Sequence, residues 1–338
     1  MSKKNDCLNM IKGIACFFVV FMHVPFLGVF GIVVKKIGEF AVPIFYLISG
    51  FYLWKPEIEN IRKALSRKIK RLCKICFVVF VSYFFWNMVI SRFGSGHLAI
   101  SAFVRRCFTI EHLFKFLIFQ NTDIFGGRSP YWFLFALQLT YIILLVVFWL
   151  PKWHFIYICI PILLITNFYL HTTDMGWDYY NNIWTTAIPF VLIGFIIAER
   201  GMVKKIKPIA MAIISLMSLL VVIVGTIIHI PCPISITQFA ISFFSVGIFC
   251  LSLIYSDVSI STLSNIGAKY SMLIYIIHPF VITVIEKLAE SLSINDSFFY
   301  LWVAPIMVAL ASLLLSITYA FIKKYIFQNI NEFIPSQR

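Results

Sequence analysis

A chain of 338 residues that is 61% hydrophobic and only 12% charged departs from the globular balance of nearly half apolar and a quarter charged, which excludes an ordinary soluble domain and points to a protein that crosses a membrane several times. The formal charge of +14 does not argue for nucleic acid, because most Lys and Arg lie beside apolar spans, where topology and anionic lipid explain them. The eight cysteines, most inside apolar spans, read as small packing residues rather than a disulfide framework. Cys73 and Cys76 form a CxxC without a second ligand pair, so no metal site is expected.

The expected fold is all-α and polytopic, a single membrane domain over residues 1–338 with about ten transmembrane helices. Segments long enough to cross about 30 Å of hydrocarbon run over 10–34, 37–54, 75–91, 130–150, 155–170, 183–199, 209–230, 236–255, 268–286 and 298–322. The first shows no small-x-small cleavage site and is expected to stay as a helix. Between the second and third lies 55–74, KPEIENIRKALSRKIKRLCK, with eight Lys or Arg. Read as a basic loop, it is placed in the cytoplasm by the positive-inside rule, and both termini follow it there. Trp54, Trp132, Tyr169, Trp184 and Trp302 fall near span ends, where amphipathic rings favour the headgroup zone. The outer segment 92–129 is too long for a tight turn. Its apolar stretch Leu113 to Gln120, beside Arg105, Arg106 and Lys115, suits a re-entrant or surface helix. The outer loop 171–182 mixes Asp174 and Asp178 with Trp177, Tyr179 and Tyr180, a composition found both in carbohydrate contacts and in plain polar caps.

His23 stands out within the first span. Ionisable groups inside membrane helices are costly and usually face a bundle interior or a watery cavity. Lys12 precedes it by eleven residues, close to three turns, so the two share a face about 16 Å apart along the axis. His278 lies deep in the ninth span and precedes Pro279, which removes a backbone hydrogen bond and makes that position polar. As a second reading, His278 is an ordinary interhelical contact. Ser49 and Gly50 interrupt an aromatic wall in PIFYLISGFYL, and Arg128 stands in GGRSPYWFL just before Trp132. Arg128 suits an outer anion, and it equally suits snorkelling to headgroups. No GxSxG, HExxH, P-loop or dinucleotide fingerprint supports a soluble-enzyme chemistry.

In order and spacing, KGIACFFVVFMH, PIFYLISGFYL, YWFL and YSMLIYIIHP resemble the integral-membrane acyltransferase-3 family. The resemblance implies a ten-helix enzyme of the bacterial plasma membrane, embedded among lipids. Such an enzyme passes an acyl group, commonly acetyl from acetyl-coenzyme A, to a hydroxyl of an extracytoplasmic glycan. Acetyl-coenzyme A is then a substrate, and no resident cofactor is implied. The family's basic residue falls on Lys12 and its essential histidine on His23. Ser49, Trp132, Tyr275 and His278 fall on the remaining motifs, and Arg128 lies beside them. Arg67, Lys70 and Arg71 join Lys12 as the expected holders of the coenzyme's phosphates. The chain departs from the family at Asn9, where an aspartate is usual, and Asp6 is the nearest substitute. The reading from another class is a transporter or flippase for a glycan precursor, which buried polar residues also suit, although no inverted repeat is visible.

Overall fold

A computed structural model describes residues 5–93, 99–173, 175–228 and 235–333. Asp174 and part of the outer segment 92–129 lie outside them. The chain is helical, with no strand among the described residues. The first half contains α1 (Asp6–His23), α2 (Gly28–Gly38), α3 (Ala41–Phe51), α4 (Ile58–Phe93), α5 (Ile100–Cys107), α6 (Ile110–Phe119) and α7 (Tyr131–Val147). The second contains α8 (Cys159–Leu170), α9 (Trp177–Tyr180), α10 (Ile188–Glu199), α11 (Pro208–Ile228), α12 (Ile236–Ile254), α13 (Ser261–Lys269), α14 (Ser271–Ser291) and α15 (Phe298–Phe333). Among the described residues, eight helical segments are long and apolar enough to cross a membrane. α7 is apolar but has 17 residues, and α3 has 11.

Two sequence expectations change locally. The span 10–34 is broken between α1 and α2: Pro25 cannot continue the ladder, and Val24 before it is extended, at φ −129° and ψ 86°, as a residue preceding proline prefers. The basic run 55–74 is no loop, because from Ile58 onward it is helical and continuous with the third span in the 36-residue α4. No Gly or Pro interrupts Arg62 to Phe93, and Lys, Arg, Ala and Leu are good helix formers. At 1.5 Å per residue α4 is about 54 Å long, more than the hydrocarbon needs, so its charged half projects beyond it.

The chain divides into two compact units, one of residues 1–39 and 256–338, the other of 40–255. In the first, Asn5 caps α1 by accepting from the Leu8 amide at 2.7 Å, and the amides of Asp6 and Cys7 donate to the Ser256 carbonyl at 2.9 and 3.1 Å. α1 then crosses α13 at backbone contact. A Cβ on Gly13 would overlap the Leu263 carbonyl, and one on Gly267 the Asn9 carbonyl. α14 and α15 complete this unit, with α14 against α1 and α15 against both.

The second unit uses the same device. A Cβ on Gly50 of α3 would overlap the Val191 carbonyl, and one on Gly194 of α10 the Leu47 carbonyl. Small residues of this kind let membrane helices approach closely without a hydrophobic drive. α4 packs on α7, and the Arg62 guanidinium donates twice to the Phe148 carbonyl, at 3.0 and 2.7 Å, while lying 4.2 Å from the Trp149 ring centre. The segment 92–129 contains the short helices α5 and α6. On α6 the Lys115 ammonium, 2.6 Å from Glu111, holds that exposed carboxyl below its usual range. Exposed pairs of this kind add little stability.

Candidate active site

The site is assembled from the two ends of the chain. His23 is the last residue of α1, where the helix must stop because Pro25 follows. Its ring centre lies 5.1 Å from that of His278, with the planes 35° apart. Tyr275, one turn before His278 on α14, has its ring 5.9 Å from the same imidazole. His278 is 0% exposed. Its Nδ1 lies 3.2 Å from the Ile274 carbonyl, and since a carbonyl only accepts, Nδ1 carries the hydrogen. In the uncharged ring Nε2 is then an acceptor, and it is buried with no hydrogen-bond partner among the described residues. Pro279 adds to this polarity, because it lacks the N–H that would bond the Tyr275 carbonyl one turn earlier, and the His278 imidazole interacts with that carbonyl as well.

His23 also lines a cavity of about 440 Å³, shared by Glu286, Glu290, Asn295 and Tyr300 with the apolar Val24, Pro25, Leu301 and Ala304. The glutamates sit in the last turns of α14, and Tyr300 and Leu301 in the first turn of α15. Asn295 belongs to the turn between them. An exposed imidazole at a helix end, with a second imidazole beside it and a cavity it helps to line, can take a proton from a hydroxyl or carry a group covalently.

Lys12 stands three turns before His23 on α1 and donates to Asn9 Oδ1 at 3.5 Å. Asp6, the nearest carboxylate in sequence, accepts from the Ser264 hydroxyl at 3.0 Å. The remaining sequence-selected residues belong to the other unit. Ser49 donates to the Phe45 carbonyl at 2.7 Å and shares a hydrogen bond with the Tyr141 hydroxyl. Arg67, Lys70 and Arg71 all lie exposed along one side of α4, whereas Arg62 on the same run is committed to the end of α7. Arg128 is exposed, and its carbonyl accepts from Asn87 at 3.1 Å. Trp132 is buried and meets Trp177 edge to face at 4.8 Å. In the loop 171–182, Asp178 accepts from Asn121 at 2.5 Å, and the Asn167 side chain donates to the Tyr180 carbonyl at 2.6 Å.

Sequence reasoning did not select Glu286, Glu290, Asn295 or Tyr300. One local signal was available. Acidic residues in the last turns of a helix oppose its dipole, and α14 has no basic residue in its last turn; Glu290 is offset by Lys287 at 2.6 Å, which leaves Glu286 as the carboxylate that helix stability explains least.

A family model described as an acyltransferase domain matches residues 5–323 of the chain. Neither a curated protein nor a solved structure matches it.

Proposed function

The chain belongs to the acyltransferase-3 family of integral-membrane acyltransferases, and from that premise we propose that it moves an acetyl group from cytoplasmic acetyl-coenzyme A to a hydroxyl of an extracytoplasmic polysaccharide or lipid-linked glycan. The observation that carries this reading is the placement of His23. It ends a membrane helix that has Lys12 near its other end, its ring lies 5.1 Å from that of His278, and it lines a cavity that Glu286, Glu290, Asn295 and Tyr300 share with apolar residues.

In the proposed step the acceptor hydroxyl oxygen attacks the thioester carbonyl. His23 removes the hydroxyl proton as the new C–O bond forms, the C–S bond breaks, and the proton passes to the departing coenzyme A thiolate. The alternative order puts the acetyl group on the His23 imidazole first and on the hydroxyl second. On the donor side, the exposed cations Arg67, Lys70 and Arg71 form a face suited to phosphate, and Lys12 sets a positive charge on the path along α1. A lysine attracts phosphate as a point charge, without the fork an arginine offers.

Membranes holding equal amounts of wild-type protein and His23→Ala are supplied with labelled acetyl-coenzyme A and envelope glycans. The expected result is label in glycan with the wild type and none with the variant. Equal transfer by both would remove His23 from the chemistry. Rapid quenching without acceptor separates the two orders, since only an acyl-histidine leaves acid-labile label on the protein.

A further inference from the structure

We propose that the cavity between α5, α6 and the turn at 123–127 is a lipid-headgroup site, and that it takes a zwitterionic phospholipid with a primary ammonium, of the phosphoethanolamine type. The cavity measures about 400 Å³ and is lined by Arg106, His112, Asp123, Gly126 and Gly127. That volume lies within the roughly 300–1,000 Å³ of small-molecule sites. All five residues belong to the unit 40–255, and none lines the cavity at His23.

The walls are set by the fold itself. Gly126 takes a φ of +63°, which glycine adopts without strain, and its amide donates to the Asp123 carbonyl at 2.9 Å. The Asp123 amide donates in turn to Asn121 Oδ1 at 2.7 Å. A Cβ on Gly126 would overlap the Phe103 ring of α5, and one on Gly127 the Asn87 side chain of α4, so the turn lies hard against both helices. His112 Nδ1 is 3.1 Å from the Cys107 carbonyl. A carbonyl only accepts, so Nδ1 carries the hydrogen and Nε2 of the neutral ring is an acceptor.

The lining holds one cation and one anion. Among the described residues, neither the Arg106 guanidinium nor the Asp123 carboxylate makes a hydrogen bond or a salt bridge. Of the charged groups that act on Asp123, Lys115 is engaged by Glu111 at 2.6 Å, and Asp178 is itself an acid. A bare anion in this space meets Asp123, and a bare cation meets Arg106. A headgroup with phosphate at one end and ammonium at the other satisfies both. The guanidinium gives phosphate its fork of donors, while Asp123 and His112 Nε2 accept from the three N–H bonds of an ammonium.

The second observation is the outer face of α6. On its inner face the Phe116 ring stacks on Phe135 at 4.6 Å and 8°, and Phe119 meets Tyr179 at 4.8 Å. Ile110, Leu113, Phe114 and Leu117 recur at spacings of three and four on the other face and are 88%, 40%, 59% and 59% exposed. In a chain that crosses a membrane, such a stripe lies against acyl chains. His112 sits in the first turn of the same helix, so an acyl chain on the stripe and a headgroup in the cavity can belong to one lipid.

For the test, full-length protein in detergent is titrated with phosphatidylethanolamine, phosphatidylcholine and phosphatidylglycerol of matched chains, and bound lipid is counted by native mass spectrometry. The wild type is expected to prefer phosphatidylethanolamine by about tenfold, the worth of a hydrogen bond to a charged group. The quaternary nitrogen of choline has no N–H to donate, and glycerol brings no cation to Asp123. Arg106→Gln and Asp123→Asn are each expected to remove the preference. Free phosphoethanolamine is expected to compete weakly, because it lacks the chains that α6 receives. Equal binding of the three lipids by the wild type, a preference for phosphatidylglycerol, or a preference that survives both variants overturns the proposal. So does free phosphoethanolamine or inorganic phosphate that binds as tightly as the lipid, which would make this a soluble-phosphate site, and so does displacement of the lipid by an oligogalacturonate, which would give the cavity to a glycan. The comparison of lipids on the wild type decides the matter even where a variant fails to fold. No acyl transfer enters the measurement, so its failure leaves the proposed transferase standing.

Discussion

His278 has one ring nitrogen committed to the Ile274 carbonyl and the other buried, with no hydrogen-bond partner among the described residues, in a ring that lies beside His23. That arrangement suits a positioning residue: it fixes its own tautomer through α14 and keeps an acceptor nitrogen in a ring that packs against the neighbouring imidazole. His278→Phe keeps the ring volume and removes the acceptor. The expected outcome is normal abundance in the membrane with glycan acetylation reduced up to about 100-fold, the usual cost of a misplaced reacting group, and His278→Asn is expected to recover part of it. Normal transfer by His278→Phe would assign the residue to packing alone. His23 was legible in the sequence because an imidazole in an apolar run has no cheap explanation. Its partnership with His278 was not, since 255 residues separate them and no periodicity spans such a gap. Glu286 and Tyr300 were hidden for the same reason.

At the scale of elements, the crossing of α1 over α13 sets where Lys12 and His23 stand, because Gly13 and Gly267 bring two backbones into contact. Gly267→Ala puts a methyl against the Asn9 carbonyl. Overpacking of this kind costs about 1–3 kcal/mol, so the detergent-solubilised variant should melt several degrees lower than the wild type, while Gly225→Ala, where among the described residues the new methyl would meet the Thr237 methyl and no backbone, should melt closer to it. An unchanged midpoint for Gly267→Ala would mean that α13 yields. Hydropathy located the apolar segments because burial in lipid demands about 20 apolar residues whatever their partners. It did not locate the break at Pro25, which lies inside an uninterrupted apolar run. Nor did it give the conformation of 55–74, since the positive-inside rule reads the side of the membrane and says nothing about helix or loop.

For the molecule as a whole, the proposed chemistry requires donor and acceptor on opposite sides. In a cysteine-free chain, an impermeant maleimide should label Asn295→Cys in intact cells and Asn60→Cys only after permeabilisation. The reverse pattern would put the cavity on the donor side and end the assignment of an external glycan. The same topology exposes a second property of the chain. The unit that contains His23 is interrupted in sequence, its first 39 residues separated from Ser256 and beyond by the whole of 40–255. At about 5–20 residues per second of synthesis, α1 waits roughly 12–54 s in the bilayer before α13 and α14 exist to receive it. On the proposed chemistry, a fragment that stops before α14 carries His23 without His278 and is expected to be inactive, because the helices that receive α1 are made only after 40–255.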